Sequence, residues 1–147
     1  MSNDAQDKLP LQLFRVGNVN LAVREDEVFA VTEWREPARL PFAPETVLGV
    51  VSIQGRMLTV LDTGKLLDLE VTDRESIVAL RGREQLALVG HAQDSIEISR
   101  TDVQPATNFG QLSAGIINKD GRTVHILATG QLFESAMRDH ERRRKRF

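Results

Sequence analysis

The sequence predicts an all-β fold in which two small barrels of about five strands each share a hydrophobic core and precede a C-terminal helix. Short apolar segments alternate with turn residues roughly every eight to twelve positions, which is typical of sandwiches and barrels. The pattern of the first half recurs in the second, so we expect one barrel from about residues 11–70 and another from about 71–128. Barrels this small need a shared interface to bury enough apolar surface, and closing them removes exposed sheet edges.

The chain opens with a polar segment, residues 1–10, which we expect to be a disordered leader that ends at Pro10. Residues 11–16 and 19–23 are predicted to pair as a hairpin, because Gly17-Asn18 between them is a typical turn. A third strand is predicted from Val28 toward Trp34, where we expect a core or half-buried tryptophan.

Three prolines within residues 35–44 exclude a regular element there and predict an extended loop. Two β-branched runs, residues 47–53 and 57–61, flank Gln54-Gly55-Arg56 and predict a second hairpin. A short helical turn is expected after Asp62, whose carboxylate is suited to cap it.

The second half repeats this organisation. Its predicted strands are residues 76–80, 85–89, 95–99, 114–117 and 123–127. Residues 105–110 are predicted to form a loop, and Asp120-Gly121 is a strong hairpin turn. A terminal helix is expected from about Thr129 to Arg144, because apolar residues after Thr129 lie on one helical face.

Composition excludes several classes of protein. The 147 residues are 41% hydrophobic and 27% charged, as in a globular rather than a disordered protein. The absence of cysteine excludes disulfides and thiolate zinc sites and fits a reducing compartment. The N-terminus lacks a signal-peptide core, and no apolar stretch approaches the roughly 18 residues of a membrane helix. We therefore expect a soluble, cytoplasmic protein.

The residues that catalysis would need do not form a recognisable group. The histidines are His91, His125 and His140. They lie in different predicted elements at no metal-ligand spacing, and His125 is expected to face outward from its strand. Ser52 and Ser113 have no identifiable histidine and aspartate partners, and Gly64-Lys65 lacks the glycines of a phosphate loop. We expect no enzymatic activity, cofactor, metal or small-molecule substrate.

From Phe42 to Leu69 the chain resembles the signature of CheW-like domains. That family has a proline-containing loop, a strand ending in an Asn-Leu-Arg-Gly turn, a Val-Pro-Val-Val-Asp-Leu strand and a short leucine-bearing helix. The matching segments here are residues 41–44, 47–56 and 58–62. The flanking segments agree in order and spacing, so the resemblance covers about residues 11–137.

This resemblance implies SH3-like barrels and a non-enzymatic adaptor of a bacterial chemosensory array, which couples chemoreceptor tips to a CheA-type histidine kinase. In the family, receptor tips dock in the groove between the barrels, and barrel ends pair with the kinase regulatory domain or with other CheW-like proteins. The candidate receptor-binding residues are Val50, Gln54, Arg56 and Leu58. A plain solvated turn is an equal interpretation of Gln54 and Arg56.

Several positions depart from the family pattern. Gln54 replaces the arginine of the turn and loses its charge and guanidinium fork, while Thr63 replaces the leucine after Asp62. Gly90 stands where an aspartate is common. These departures support a second hypothesis, a divergent accessory member that binds receptors but has lost productive kinase coupling.

Residues 138–147 form a basic tail on an acidic body. Their six basic and two acidic residues give +4, which leaves −6 for residues 1–137 because the whole chain carries −2. The candidate polyanion-binding residues are Arg142, Arg143, Arg144, Lys145 and Arg146. The simplest interpretation of this tail is a solvated run of charges. The second is salt-dependent binding of nucleic acid, and the third is binding to anionic lipid. An alternative of another class is therefore a basic-tailed nucleic-acid-binding β-barrel.

Overall fold

A computed structural model describes residues 7–70 and 74–145 of the chain. The strands are β1 (Lys8–Val16), β2 (Val19–Arg24), β3 (Val28–Glu33), β4 (Val47–Ile53), β5 (Arg56–Leu61), β6 (Ser76–Leu80), β7 (Leu86–Ser99), β8 (Ser113–Lys119) and β9 (Arg122–Leu127). The α-helices are α1 (Thr63–Leu66) and α2 (Leu132–Lys145), and 3-10 turns occupy Glu25–Glu27, Arg100–Asp102, Gly110–Leu112 and Thr129–Gln131. Within these ranges, no helix has the length and apolarity that crossing a membrane requires.

The strands form two barrels of five strands each, joined by β7. The central barrel has the order β4-β5-β7-β6-β3, and the terminal barrel has the order β8-β9-β2-β1-β7. A bridge between Val50 of β4 and Ala38, which follows β3, closes the central barrel, and a bridge between Ile116 of β8 and Gln104, which follows β7, closes the terminal barrel. The predicted all-β architecture with SH3-like barrels and a C-terminal helix is confirmed.

The barrels do not follow the two halves of the chain, so the predicted division at residues 11–70 and 71–128 is wrong. β2 pairs in parallel with β9, and β5 pairs in parallel with β7. The N-terminal hairpin therefore completes the barrel of the C-terminal strands. Sequence patterning locates strands, but it does not specify which distant strands pair, because the periodicity of a strand is local.

The first strand also begins earlier than predicted. Residues 1–6 of the predicted leader lie outside the described residues, whereas Lys8, Leu9 and Pro10 pair with the end of β7. β2 reaches β1 only from Leu11 onward, so Pro10 has a strand partner on one side alone. A proline without an N–H is tolerated at such an edge position.

A repeated segment underlies the two barrels. Residues 47–67 and 113–133 are related by an offset of 66, and seven positions carry the same residue in both segments. In the first segment these are Gly49, Gly55, Arg56, Leu61, Thr63, Gly64 and Leu66. Gly49 (φ 147°) and Gly115 (φ 140°) occupy equivalent bulges beside the closing bridges. A Cβ on Gly49 would lie 2.4 Å from the Ala38 carbonyl oxygen, so the bridge requires glycine there.

Among the residues that the structure describes, apolar side chains form three clusters. One lies in the central barrel around Leu58 and Ile77, and another in the terminal barrel around Leu11 and Ile126. The largest lies between the barrels, where both contribute and α2 adds Leu132 and Ala136. This is the shared hydrophobic core that the small size of each barrel predicts.

Candidate functional site

A shallow groove lies where the two barrels meet. The turn between β6 and β7 faces Thr129 and Gly130 across a cavity of about 150 Å³. Leu80 and Leu86 line it and belong to the shared core. We call this surface, with the adjoining residues Glu27 and Val31 and the turn Gln54–Arg56, the barrel groove. It is preformed, since the ends of β6 and β7 hold one wall and the 3-10 turn Thr129–Gln131 holds the other.

Glu27 ties together the segments that border the barrel groove. Its carboxylate accepts a hydrogen bond from the Thr129 hydroxyl, and its backbone oxygen accepts one from the Arg81 amide at 2.8 Å. The pKa of Glu27 is raised above its ordinary value, chiefly because the carboxyl is buried. The positive charge of Arg24 lowers this pKa, with Arg24 Nε 3.8 Å from Glu27 Oε1, and the negative charge of Asp26 raises it. A half-buried carboxyl thus connects the entry to β3 with the chain that leads into α2.

Arg56 holds the β4–β5 turn against the central barrel. Its guanidinium lies 4.9 Å from the centre of the Phe29 ring and donates to the Gly82 oxygen at 3.4 Å. Gln54 occupies the turn with a φ of 51°, and its side chain is exposed. Arg56 is therefore a packed residue, whereas Gln54 presents a free-standing amide to solvent.

The structure separates the four candidate receptor-binding residues. Gln54 and Arg56 lie together beside the barrel groove, but Val50 is four residues back along β4, roughly 13 Å away. Leu58 has 0% exposure in the central core, so its assignment as a contact residue is wrong. Its position on β5 matches that of Val60, which also faces inward, because alternate residues of a strand share a face.

Val31, Glu27 and Thr129 also border the barrel groove, although the sequence did not single them out as site residues. Val31 is 41% exposed on β3, and its β6 partner Val78 belongs to the shared core, so Val31 lies at the margin between the barrels. Glu27 and Thr129 meet only through the fold. The sequence repeat could have pointed to Thr129, because it lies 66 residues after Thr63 and both threonines follow equivalent hairpins.

The histidines occupy separate surroundings. His91 pairs with Glu75 at the crossover of β7. His125 is half-buried with its ring 5.0 Å from that of Phe109, and burial lowers its pKa, so it is less outward-facing than predicted. The side chain of His140 lies outside the described residues. In the part of the chain that the structure describes, no three acidic or histidine side chains are grouped to hold a metal ion.

The terminal helix is confirmed, although its α-helical part begins at Leu132 after a 3-10 turn that starts at the predicted Thr129. The candidate polyanion residues from Arg142 to Lys145 lie in α2, but their side chains are not among those described, and Arg146 lies outside the described residues.

These features define a two-barrel protein of SH3-like fold with a preformed groove between the barrels. The family model of the CheW-like domain matches residues 10–137, and the chain therefore belongs to the CheW family. It is 28% identical over 136 residues to the chemotaxis protein CheW of Rhizobium meliloti (strain 1021), covering 86% of this chain and 88% of that protein. It is 26% identical over 125 residues to the chemotaxis protein CheW of Bacillus subtilis (strain 168), covering 78% and 80%.

The fold is similar to that of a solved scaffold. The scaffolding protein TtCheW from Thermoanaerobacter tengcongensis superposes with a TM-score of 0.78 at 19% identity, covering 85% of this chain and 87% of that one. At this identity the likeness concerns the fold alone.

Proposed function

We propose that this chain is a non-enzymatic coupling adaptor of a bacterial chemosensory array in the cytoplasm, linking chemoreceptor tips to a CheA-type histidine kinase. Membership of the CheW family over residues 10–137 is the observation that carries the proposal. The chemotaxis proteins of R. meliloti and B. subtilis resemble it along most of both chains. Two rigid barrels suit this role, since a preformed surface loses little conformational entropy on binding.

The receptor tip is proposed to dock in the barrel groove. Val31 supplies exposed apolar surface there, and Gln54 supplies an amide that donates and accepts hydrogen bonds. Arg56 acts by fixing the turn against Phe29 and Gly82. This combination of an apolar patch with a polar rim is typical of protein interfaces.

Reconstitution tests the proposal. The purified chain is mixed with receptor cytoplasmic tips and with the regulatory domain of a CheA-type kinase, and binding is measured by pull-down and calorimetry. We expect binding to both. Binding to neither refutes the proposal.

A kinase assay in the same mixture separates coupling from the accessory hypothesis. Coupling predicts that receptor stimulates kinase phosphorylation only when the chain is present. Receptor binding without stimulation would instead indicate the accessory role that the altered turn suggested. Family membership favours coupling, and it does not favour the nucleic-acid-binding barrel.

A further inference from the structure

A second cavity lies apart from the barrel groove, where α1, the 3-10 turn Gly110–Leu112 and the start of α2 meet. Its volume is about 400 Å³. The residues that line it are distinct from those that line the cavity of the barrel groove. A volume of this size is within the range of small-molecule sites, about 300–1,000 Å³. We call it the helix cavity.

The internal repeat shows that Thr46, which lines the helix cavity, occupies an apolar position. Thr46 lies 66 residues before Leu112, and the backbone oxygens of the two accept equivalent hydrogen bonds. The Asp62 amide donates to the Thr46 oxygen at 2.7 Å, and the Ala128 amide donates to the Leu112 oxygen at 2.8 Å. Leu112 is buried in the shared core. The central barrel therefore has a hydroxyl group where the terminal barrel has a leucine.

The Thr46 hydroxyl has no hydrogen-bond partner in the part of the chain that the structure describes. Thr46 is 1% exposed, and its Oγ1 is buried and unpaired. Asp62 does not satisfy it, because Asp62 Oδ1 accepts from the Lys65 amide at 3.2 Å and Oδ2 is itself unpaired. An unpaired buried hydroxyl is unfavourable to folding. A molecule bound in the helix cavity would supply the missing partner.

Two cationic side chains border the helix cavity. Lys65 of α1 and Arg138 of α2 line it and are exposed, and no ion pair within the described ranges involves Lys65. Arg138 Nη1 donates to Gln111 Oε1 at 2.9 Å, and Nη2 lies 3.9 Å from the exposed Glu134 carboxylate. A guanidinium has five N–H donors, so donors remain for a ligand. With Asp68 as the acidic lining residue, the charged residues around the cavity sum to +1.

Apolar side chains complete the lining of the helix cavity. Leu66 and Phe109 line it and pack against the shared core, to which Leu112 belongs. Removing apolar surface of a ligand from water contributes favourable free energy. A lining that combines apolar side chains with two cations therefore suits an anion with an apolar body better than it suits inorganic phosphate.

We infer that the helix cavity is a binding site for a small organic anion, a carboxylate on an apolar body. Lys65 and Arg138 bind the carboxylate, and the Thr46 hydroxyl donates to one of its oxygens. The apolar body packs on Leu66 and Phe109. Because α1 follows β5 of the central barrel and the turn Gly110–Leu112 leads into β8 of the terminal barrel, the bound anion contacts both barrels and α2.

Titration of the purified chain with benzoate and with hexanoate, followed by two-dimensional amide NMR, tests the inference. We expect saturable shifts concentrated in residues 62–68, 109–112 and 132–138. Inorganic phosphate lacks the apolar body and benzyl alcohol lacks the charge, so each is expected to bind at least about tenfold more weakly than benzoate. Absence of saturable shifts with both carboxylates overturns the inference, as does equal binding of benzoate and benzyl alcohol.

Thr46→Val separates a ligand-binding hydroxyl from a structural one. Valine keeps the shape, and no hydrogen bond within the protein is lost. We expect the thermal unfolding midpoint without ligand to stay the same or rise, and the affinity for benzoate to fall roughly tenfold. A lowered midpoint would show that the hydroxyl is bonded within the protein, and unchanged affinity would show that it does not contact the anion. Either result contradicts the inference.

Charge removal gives an independent measurement. Lys65→Met and Arg138→Met are each expected to weaken benzoate binding about tenfold, because each removes a charged donor. Lys8→Met is the matched control, since it removes the same charge from an exposed position on β1, and it should bind like wild type. Equal affinity of all three variants contradicts the inference. These mixtures contain neither receptor nor kinase, so their failure leaves the proposed coupling function standing.

Discussion

Thr63 of α1 and Val89 of β7 are joined by two hydrogen bonds through one hydroxyl group. Thr63 Oγ1 donates to the Val89 backbone oxygen at 2.7 Å and accepts from the Val89 amide at 3.0 Å. Both residues are buried, and β7 passes from the central to the terminal barrel immediately afterwards, since Gly90 still pairs with β6 while His91 pairs with β1. The threonine that departs from the family leucine thus satisfies the backbone at the crossover.

Replacing this hydroxyl should destabilise the fold. Thr63→Val keeps the shape but leaves a buried amide and a buried carbonyl without partners, so the free energy of unfolding is expected to fall by about 2–4 kcal/mol. Urea unfolding followed by circular dichroism measures it. Thr59→Val, on neighbouring β5, is the control and should change stability by less than about 1 kcal/mol. Equal effects of the two substitutions would show that the two hydrogen bonds contribute little.

Gly49 is predicted to be the less replaceable of two glycines in the β4–β5 hairpin. Gly49→Ala places a Cβ 2.4 Å from the Ala38 oxygen at a φ of 147°, and we expect a loss of about 2–4 kcal/mol through clash and strain. Gly55→Ala meets nothing within 4 Å, so only its φ of 81° opposes alanine, at about 1–2 kcal/mol. Thermal unfolding of the two variants compares their stabilities. An equal loss of stability in both would show that the close approach of Gly49 to Ala38 is unimportant.

Leu58 was expected at the receptor surface, and its burial gives a distinct prediction. Leu58→Ala leaves a cavity in the central core, so the free energy of unfolding is expected to fall by about 2–5 kcal/mol. Receptor affinity of the folded fraction should stay unchanged, as measured by calorimetry well below the unfolding temperature. Lost affinity with intact stability would instead place Leu58 at the interface.

The sequence predicted local structure well because local structure depends on short patterns. The second hairpin was expected at residues 47–53 and 57–61 and is found at Val47–Ile53 and Arg56–Leu61. The assignment of strands to barrels was wrong, since it depends on parallel pairs more than 25 residues apart, such as Thr59 with Leu86. The contact between Glu27 and Thr129 joins residues 102 positions apart, which no local pattern specifies.

Glu27 predicts a dependence of stability on pH. Its pKa in the folded protein is above the ordinary value of 4.5, chiefly because of burial, so the folded state holds the proton more tightly than the unfolded state. The stability from this group is fully present below pH 4.5 and falls as pH rises through the folded pKa. Glu27→Gln lacks this titration and retains an oxygen that accepts from Thr129.

Urea unfolding of wild type and Glu27→Gln over a series of pH values measures the effect. The free energy of unfolding of wild type minus that of the variant is expected to decrease as pH rises from below 4.5 toward neutrality. A difference that stays constant, or that increases with pH, would contradict the raised pKa.

Val31 is predicted to be an apolar contact of the receptor tip. It is 41% exposed at the margin of the barrel groove, so Val31→Glu places a charge in the contact without disturbing the core. Desolvating that charge should weaken receptor binding by about tenfold or more, which calorimetry with purified receptor tips measures. Met137→Glu on α2, where the native side chain is 37% exposed, is the matched control and should bind like wild type. If both variants bind equally well, the receptor does not contact Val31, and the docking surface lies elsewhere on the barrels.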